Sequence, residues 1–166
     1  MICGLFACIQ PQKSKGYWIT VVDNDNDRYG YVNQNGDTVI PLGKYPICFT
    51  DTFTNYAIVL KPNYGIVAID RQEKILYQVY QLDNGPDPVL EGYFRILKDN
   101  KIGYADASTG KIMVTPKYDC AFPFENGMAK VSISCSTQQD GEYHTWVSNQ
   151  WFYIDKKGKK IEHKNE

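Results

Sequence analysis

Apolar and polar residues alternate along this chain in short runs separated by turn-forming clusters. Period-two alternation sends successive side chains to opposite faces of an extended strand. In Ile66-Val67-Ala68-Ile69, the pair Ile66 and Ala68 lies on one face, and Val67 and Ile69 lie on the other. No stretch of the i, i+3, i+4, i+7 spacing of an amphipathic helix is present, and residues 119–126 have room for one short turn. The pattern predicts an all-β protein of antiparallel hairpins.

The runs also repeat. Tyr29-Gly30-Tyr31-Val32 is followed by Asn35-Gly36-Asp37 and Thr38-Val39-Ile40-Pro41. Tyr64-Gly65-Ile66-Val67-Ala68-Ile69-Asp70 leads through a turn at residues 71–74 to Ile75-Leu76-Tyr77. Ile102-Gly103-Tyr104-Ala105-Asp106 leads through Thr109-Gly110-Lys111 to Ile112-Met113-Val114-Thr115-Pro116. A truncated copy reads Trp151-Phe152-Tyr153-Ile154-Asp155, Lys157-Gly158-Lys159, Ile161. Gly30, Gly65 and Gly103 are 35 and 38 residues apart, and 49 residues separate Gly103 from Phe152, so the last spacing holds an insertion over residues 134–149. Turns of this length with a late glycine fit a type I turn closed by a left-handed residue, the place of Gly36, Gly110 and Gly158. Glu73 occupies that place in the second copy, so its turn differs or carries strain. Pro41 and Pro116 are expected to close their strands.

A further strand precedes each later hairpin, with Ala57 and Val59, Phe94 and Ile96, and Ala129 and Val131 sharing buried faces. The unit is thus a three-stranded meander, which cannot bury its face alone and has to stack on its neighbours. The expected architecture is one repeat domain over residues 1–166, a curved or twisted array of solenoid or partial-propeller type. Its copies span about residues 4–45, 55–80, 92–118 and 127–162.

These residues resemble the WG-containing (KWG) repeat family, whose pattern is an aromatic-Gly strand, a Gly turn, a VIP stretch and KYD-x-A-x-PF-x-x-G-x-A-x-V. The stretch from Lys117-Tyr118-Asp119 through Ala121, Pro123-Phe124, Gly127 and Ala129 to Val131 matches the last part closely, and Lys44-Tyr45 through Phe53 to Val59 matches it loosely. No intact Trp-Gly dipeptide survives, and the second copy lacks its proline. The resemblance implies a β-rich bacterial repeat protein, often of the envelope or secreted, with no settled activity and no catalytic residues to carry over. Cell envelope or periplasm is therefore preferred to cytoplasm.

Composition narrows the partners. A net charge of −1 speaks against nucleic acid, and Lys156, Lys157, Lys159, Lys160 and Lys164 form a solvated end. The 13 tyrosines suit half-buried strands with wet hydroxyls. No stretch is long enough for a membrane span. Cys3, Cys8, Cys48, Cys120 and Cys135 lack metal-ligand spacing and read as free thiols packed as small hydrophobes. Leu5-Phe6-Ala7-Cys8 fits a lipoprotein cleavage box, which makes Cys8 a lipid anchor if the true start lies upstream. Equally, residues 4–9 align with later strands, since Gly4-Leu5-Phe6 parallels Gly92-Tyr93-Phe94.

Three segments depart from the repeat. Asp23, Asp25 and Asp27 alternate as oxygen ligands for Ca²⁺ do, but Arg28 and Gln34 stand where an EF-hand has Gly and Glu. A solvated hairpin loop is the competing reading. Asp83 and Asp87 belong to a polar loop in place of a strand closure, a partner-binding candidate or a plain turn. Tyr143, His144 and Trp146 in the insertion combine aromatic anchors with polar neighbours, or else pack over the last hairpin. Cys135 with His144 is the only thiol and imidazole pair near in sequence, and nothing local aligns them for nucleophilic catalysis. No cofactor is indicated. The reading is a non-enzymatic binding or structural module with a protein or glycan partner; the alternative is a hydrolase-like enzyme whose site assembles only in three dimensions.

Overall fold

The computed structural model describes residues 16–141 and 143–162. Cys8 and the strand expected at residues 4–9 lie outside them. The first meander is β1 (Trp18–Asp23), β2 (Arg28–Val32) and β3 (Thr38–Tyr45). Short strands β4 (Ile47–Cys48) and β5 (Thr52–Phe53) lead to the second, β6 (Ala57–Lys61), β7 (Gly65–Ile69) and β8 (Ile75–Val79). After β9 (Gln81–Leu82) and β10 (Gly85–Pro86) come β11 (Tyr93–Lys98), β12 (Lys101–Asp106) and β13 (Ile112–Tyr118), then β14 (Cys120–Ala121). The fourth opens with β15 (Met128–Ser132), is interrupted by the hairpin β16 (Ser136–Asp140) and β17 (Tyr143–Val147), and ends with β18 (Phe152–Asp155) and β19 (Lys160–Ile161).

The protein is all-β, its sheets are antiparallel and none closes into a barrel. The first meander forms a sheet of order β3-β2-β1-β5, and the fourth joins one of order β14-β15-β18-β19. The two central meanders share a seven-stranded sheet, β13-β12-β11-β8-β7-β6-β4, because Val79 of β8 pairs with Ile96 of β11. Among the described residues no helix is long and apolar enough to cross a membrane.

Each junction between successive meanders owns a hydrophobic cluster. Tyr31 and Ile40 pack with Val59, Val67 and Ile69 at the first, and Ile66, Ala68 and Tyr77 with Phe94 and Ile96 at the second. Ile102, Tyr104 and Val114 pack with Ala129, Val131 and Ile154 at the third. The two faces of β7 thus serve different junctions, and stacking removes apolar area from water that a lone meander leaves wet. Several tyrosines are more deeply placed than their type predicts. Tyr31 and Tyr104 are fully buried, and their hydroxyls donate to the carbonyls of Thr50 and Phe122, both at 2.6 Å. A backbone acceptor replaces the expected water.

Strand register revises the repeat. Gly30 faces Val21, Val67 faces Val59, Gly103 faces Ile96 and Phe152 faces Val131. Val67, not Gly65, therefore holds the glycine slot in the second copy, and the true spacings are 37, 36 and 49 residues. Gly65 instead sits at the β6–β7 turn with φ +75°. In the first and third copies the exit strand bulges across the glycine. A Cβ on Gly103 would lie 2.4 Å from the Val114 carbonyl oxygen and 2.6 Å from the Pro116 nitrogen. Pro41 and Pro116 consequently do not close their strands: they sit inside β3 and β13, within the bulges, where proline's missing N–H breaks no ladder bond. The second copy lacks glycine, proline and the wide bulge together. Gly103→Ala is expected to lower unfolding free energy by about 2–3 kcal/mol, the upper part of the 1–3 kcal/mol range for overpacking, because the added carbon meets backbone. Gly65→Ala meets open space and bears only left-handed strain, about 1 kcal/mol; urea midpoints compare the two.

The turn before the last strand of each meander begins with a side-chain cap. Oδ1 of Asn33 accepts the amides of Asn35 and Asp37, that of Asp70 those of Gln72 and Lys74, and that of Asp155 those of Lys157 and Lys159, all at 2.9 Å. Asp106 caps the Thr109 amide at 2.8 Å. Glu73 does enter the left-handed region, at φ 59°. Its carboxylate is held by Lys44 Nζ at 2.6 Å and the Tyr45 hydroxyl at 2.7 Å, contacts a glycine lacks.

Candidate functional site

The feature that stands out on the surface is built on the link after β14. The Phe122 amide donates to the Lys130 carbonyl at 2.9 Å, and its own carbonyl accepts the Tyr104 hydroxyl. Both backbone polar groups being fixed, the ring is presented outward and stays 41% exposed. Trp146 meets it edge-on at 5.3 Å and Trp151 lies 5.5 Å away. The row extends inward through Tyr80, 6.3 Å from Trp146, to the Arg95 guanidinium 4.1 Å above the Tyr80 ring. At the other end Lys130 Nζ lies 5.0 Å from the centre of the Trp151 ring. The result is an aromatic ridge with cations at both ends.

Beside the ridge Glu91 pairs with Lys156 at 3.1 Å and accepts the Gly127 amide at 3.0 Å. The Lys156 hydrogen bond holds its carboxyl below the usual range, the direction opposite to that of a general acid.

The inserted hairpin is clamped against this ridge. Cys120 and Cys135 form a disulfide, Cα atoms 6.1 Å apart, joining β14 to the foot of β16. On the other side Ser132 Oγ and Ser148 Oγ lie 2.9 Å apart, and both donate to the Ser134 carbonyl. The expectation of free thiols is thereby corrected for Cys120 and Cys135. A sulfur in a disulfide offers no thiolate, so the pairing of Cys135 with His144 as nucleophile and base falls too. Cys48 is a free and buried thiol, pushed up to about 11 by burial, with a Tyr31 hydrogen bond acting in the other direction. Cys135→Ser is expected to lower stability by about 3 kcal/mol, the chain-entropy value for a loop of this size. Chemical denaturation followed by Trp fluorescence measures it, and addition of a dithiol reductant to the unmodified chain should reproduce it.

The other sequence candidates are dispersed. Asp23 closes the β1–β2 hairpin, its carboxylate bound to Arg28 at 2.6 Å and Asn26 at 3.1 Å, and these hydrogen bonds hold it below the usual range. Asp25 and Asp27 are exposed in the same turn. Among the described residues no three His, Cys, Asp or Glu side chains converge on a common point for a metal. Asp83 is exposed at the β9–β10 turn. Asp87, five residues before Gly92, is 4% exposed and takes two guanidinium nitrogens and the backbone amide of Arg95, so it anchors the loop from inside. Tyr143 and His144 lie in β17 opposite Asp140 and Gln139. Trp146 is placed on the ridge, half-buried. Phe122, Lys130 and Trp151 escaped the sequence reading, although Phe122 lies within the best-matched motif.

A family model described as WG containing repeat matches residues 29–63 and 102–134. Both segments begin in a glycine-slot strand and run through the bulged exit strand into the next meander. They include Gly30 with Pro41 and Gly103 with Pro116, and they leave out the copy in which Val67 fills the slot. No curated protein and no solved structure matches the chain.

Proposed function

Starting from a chain that carries WG-containing repeats, we propose that it is a non-enzymatic binding module whose stacked meanders are scaffold and whose Phe122 ridge is the contact face for a protein partner. The observation that carries this reading is the ring of Phe122, 41% exposed although its backbone is fixed on both sides. A rigid aromatic anchor loses little entropy on binding and covers much apolar area. Trp146 and Trp151 extend that anchor, and the disulfide keeps it in place. A disulfide persists in an oxidising compartment, which supports an envelope, periplasmic or secreted setting of a bacterial protein.

Immobilised protein is the test, offered an envelope fraction of the source organism. A retained partner should be lost with Phe122→Ser and kept with Leu76→Ser, which removes an equally exposed apolar side chain from β8, a strand that contributes nothing to the ridge. Equal retention by both variants would remove the ridge from the function.

A further inference from the structure

Phe122 and Pro123 divide two grooves. One, of about 420 Å³, lies between them and Met128, Lys130 and Tyr153. The other, of about 490 Å³, lies between them and Leu90, Glu91 and Phe124. Both grooves are also lined by Glu125 and Asn126. Leu90 is 43% exposed, so the second groove has an apolar outer wall as well as an apolar divider.

The charges around them do not balance evenly. Lys156 and the Gly127 amide satisfy Glu91, and Lys130 lies over Trp151. Among the described residues no cation and no hydrogen-bond donor reaches the carboxylate of Glu125, which is exposed where the two grooves share their lining. Lys130 lines only the first groove, so a ligand in the second meets the apolar surface of Leu90, Phe122, Pro123 and Phe124 and one uncompensated negative charge.

We propose that the second groove binds an extended, proline-containing segment of a partner protein, with one Arg or Lys of that segment at Glu125. This names the class of partner for the contact face argued above and rests on that reading. A polyproline II segment suits this groove, because it has no internal hydrogen bonds to break and its rings pack on aromatic and apolar side chains. Its preset backbone also reduces the entropy lost on docking to a fixed ridge. The free carboxylate selects the sign of the ligand's charge, which an aromatic surface alone does not do.

The probe is a fluorescein-labelled decapeptide, APPLPRPPLA, compared with APPLPEPPLA by anisotropy against the full chain. The arginine peptide is expected to bind about tenfold more tightly, the effect of exchanging attraction for repulsion at one exposed charge. Glu125→Lys should reverse the order, and Phe122→Ser should abolish binding of both. No binding of the arginine peptide, equal affinity for the two peptides, or an order unchanged by Glu125→Lys overturns the proposal. If neither peptide binds but chitohexaose does, and Phe122→Ser abolishes that binding, a peptide ligand is ruled out while the contact face stands. If binding of every probe is indifferent to Phe122→Ser, the contact face fails as well.

Discussion

Replacing Asp87 with Ala is expected to lower stability by about 3–5 kcal/mol, the range for breaking one side of a buried ion pair. Arg95 and Asp87 are 5% and 4% exposed, and Arg95 Nη2 lies 2.5 Å from Asp87 Oδ1. Arg95 Nη1 also reaches the Ala121 carbonyl at 3.2 Å, and the guanidinium stacks on Tyr80. The pair therefore ties the segment after β10 to β11 and β14, directly behind the ridge. Removing the carboxylate leaves a buried cation with one carbonyl acceptor and an aromatic face. Removing both charges is a different matter, because an apolar pair of similar volume leaves no uncompensated group. Asp87→Ala with Arg95→Met should recover most of the loss, read as the interaction energy of a double-mutant cycle in urea. Additive losses would show that the pair is not coupled as the geometry requires.

Alkaline pH is expected to unfold the protein steeply, with stability falling by about 4 kcal/mol per pH unit between about pH 10 and 12. Tyr31, Tyr77 and Tyr104 are each 5% exposed or less. Burial pushes all three hydroxyls well above the ordinary value of 10.0, helped at Tyr31 by neighbouring Cys48 and opposed at Tyr104 by Arg95. In the unfolded chain they ionise from pH 10 upward while the native state keeps its protons. Raised native values mean that their contribution is complete below pH 10 and is lost as pH rises, at about 1.4 kcal/mol per unit for each. Cys48, raised from 9.0 to about 11, adds a loss of the same sign beginning nearer pH 9. Urea midpoints at half-unit steps measure the slope, and tyrosinate absorbance should rise together with unfolding rather than before it. A slope no steeper than a single proton requires would mean that these hydroxyls ionise in the native state.

The sequence, by itself, determined what nearest neighbours decide. Period-two alternation set the strands, and Ala57, Val59, Phe94, Ile96, Ala129 and Val131 are all buried as their spacing predicts. Gly36, Gly110 and Gly158 have positive φ, and Glu73 shows the strain that its place in the turn predicts. Each of these follows from stereochemistry within a few residues.

Tertiary structure alone decided what depends on atoms distant along the chain. Which residue holds the glycine slot depends on cross-strand register, so Gly65 misled where Val67 was correct. Whether a proline ends a strand or sits in its bulge depends on the partner strand. Cys120 and Cys135 resemble any other small apolar residues until the fold brings their Cα atoms to 6.1 Å. Asp87 reads as a surface loop carboxylate until Arg95 is seen beneath it. Phe122 reads as core by type, and only the two backbone hydrogen bonds that fix its place in the fold leave its ring facing solvent. The scaffold was local in origin and hence legible in the chain. The aromatic ridge arises where separate copies meet, and no single copy contains it.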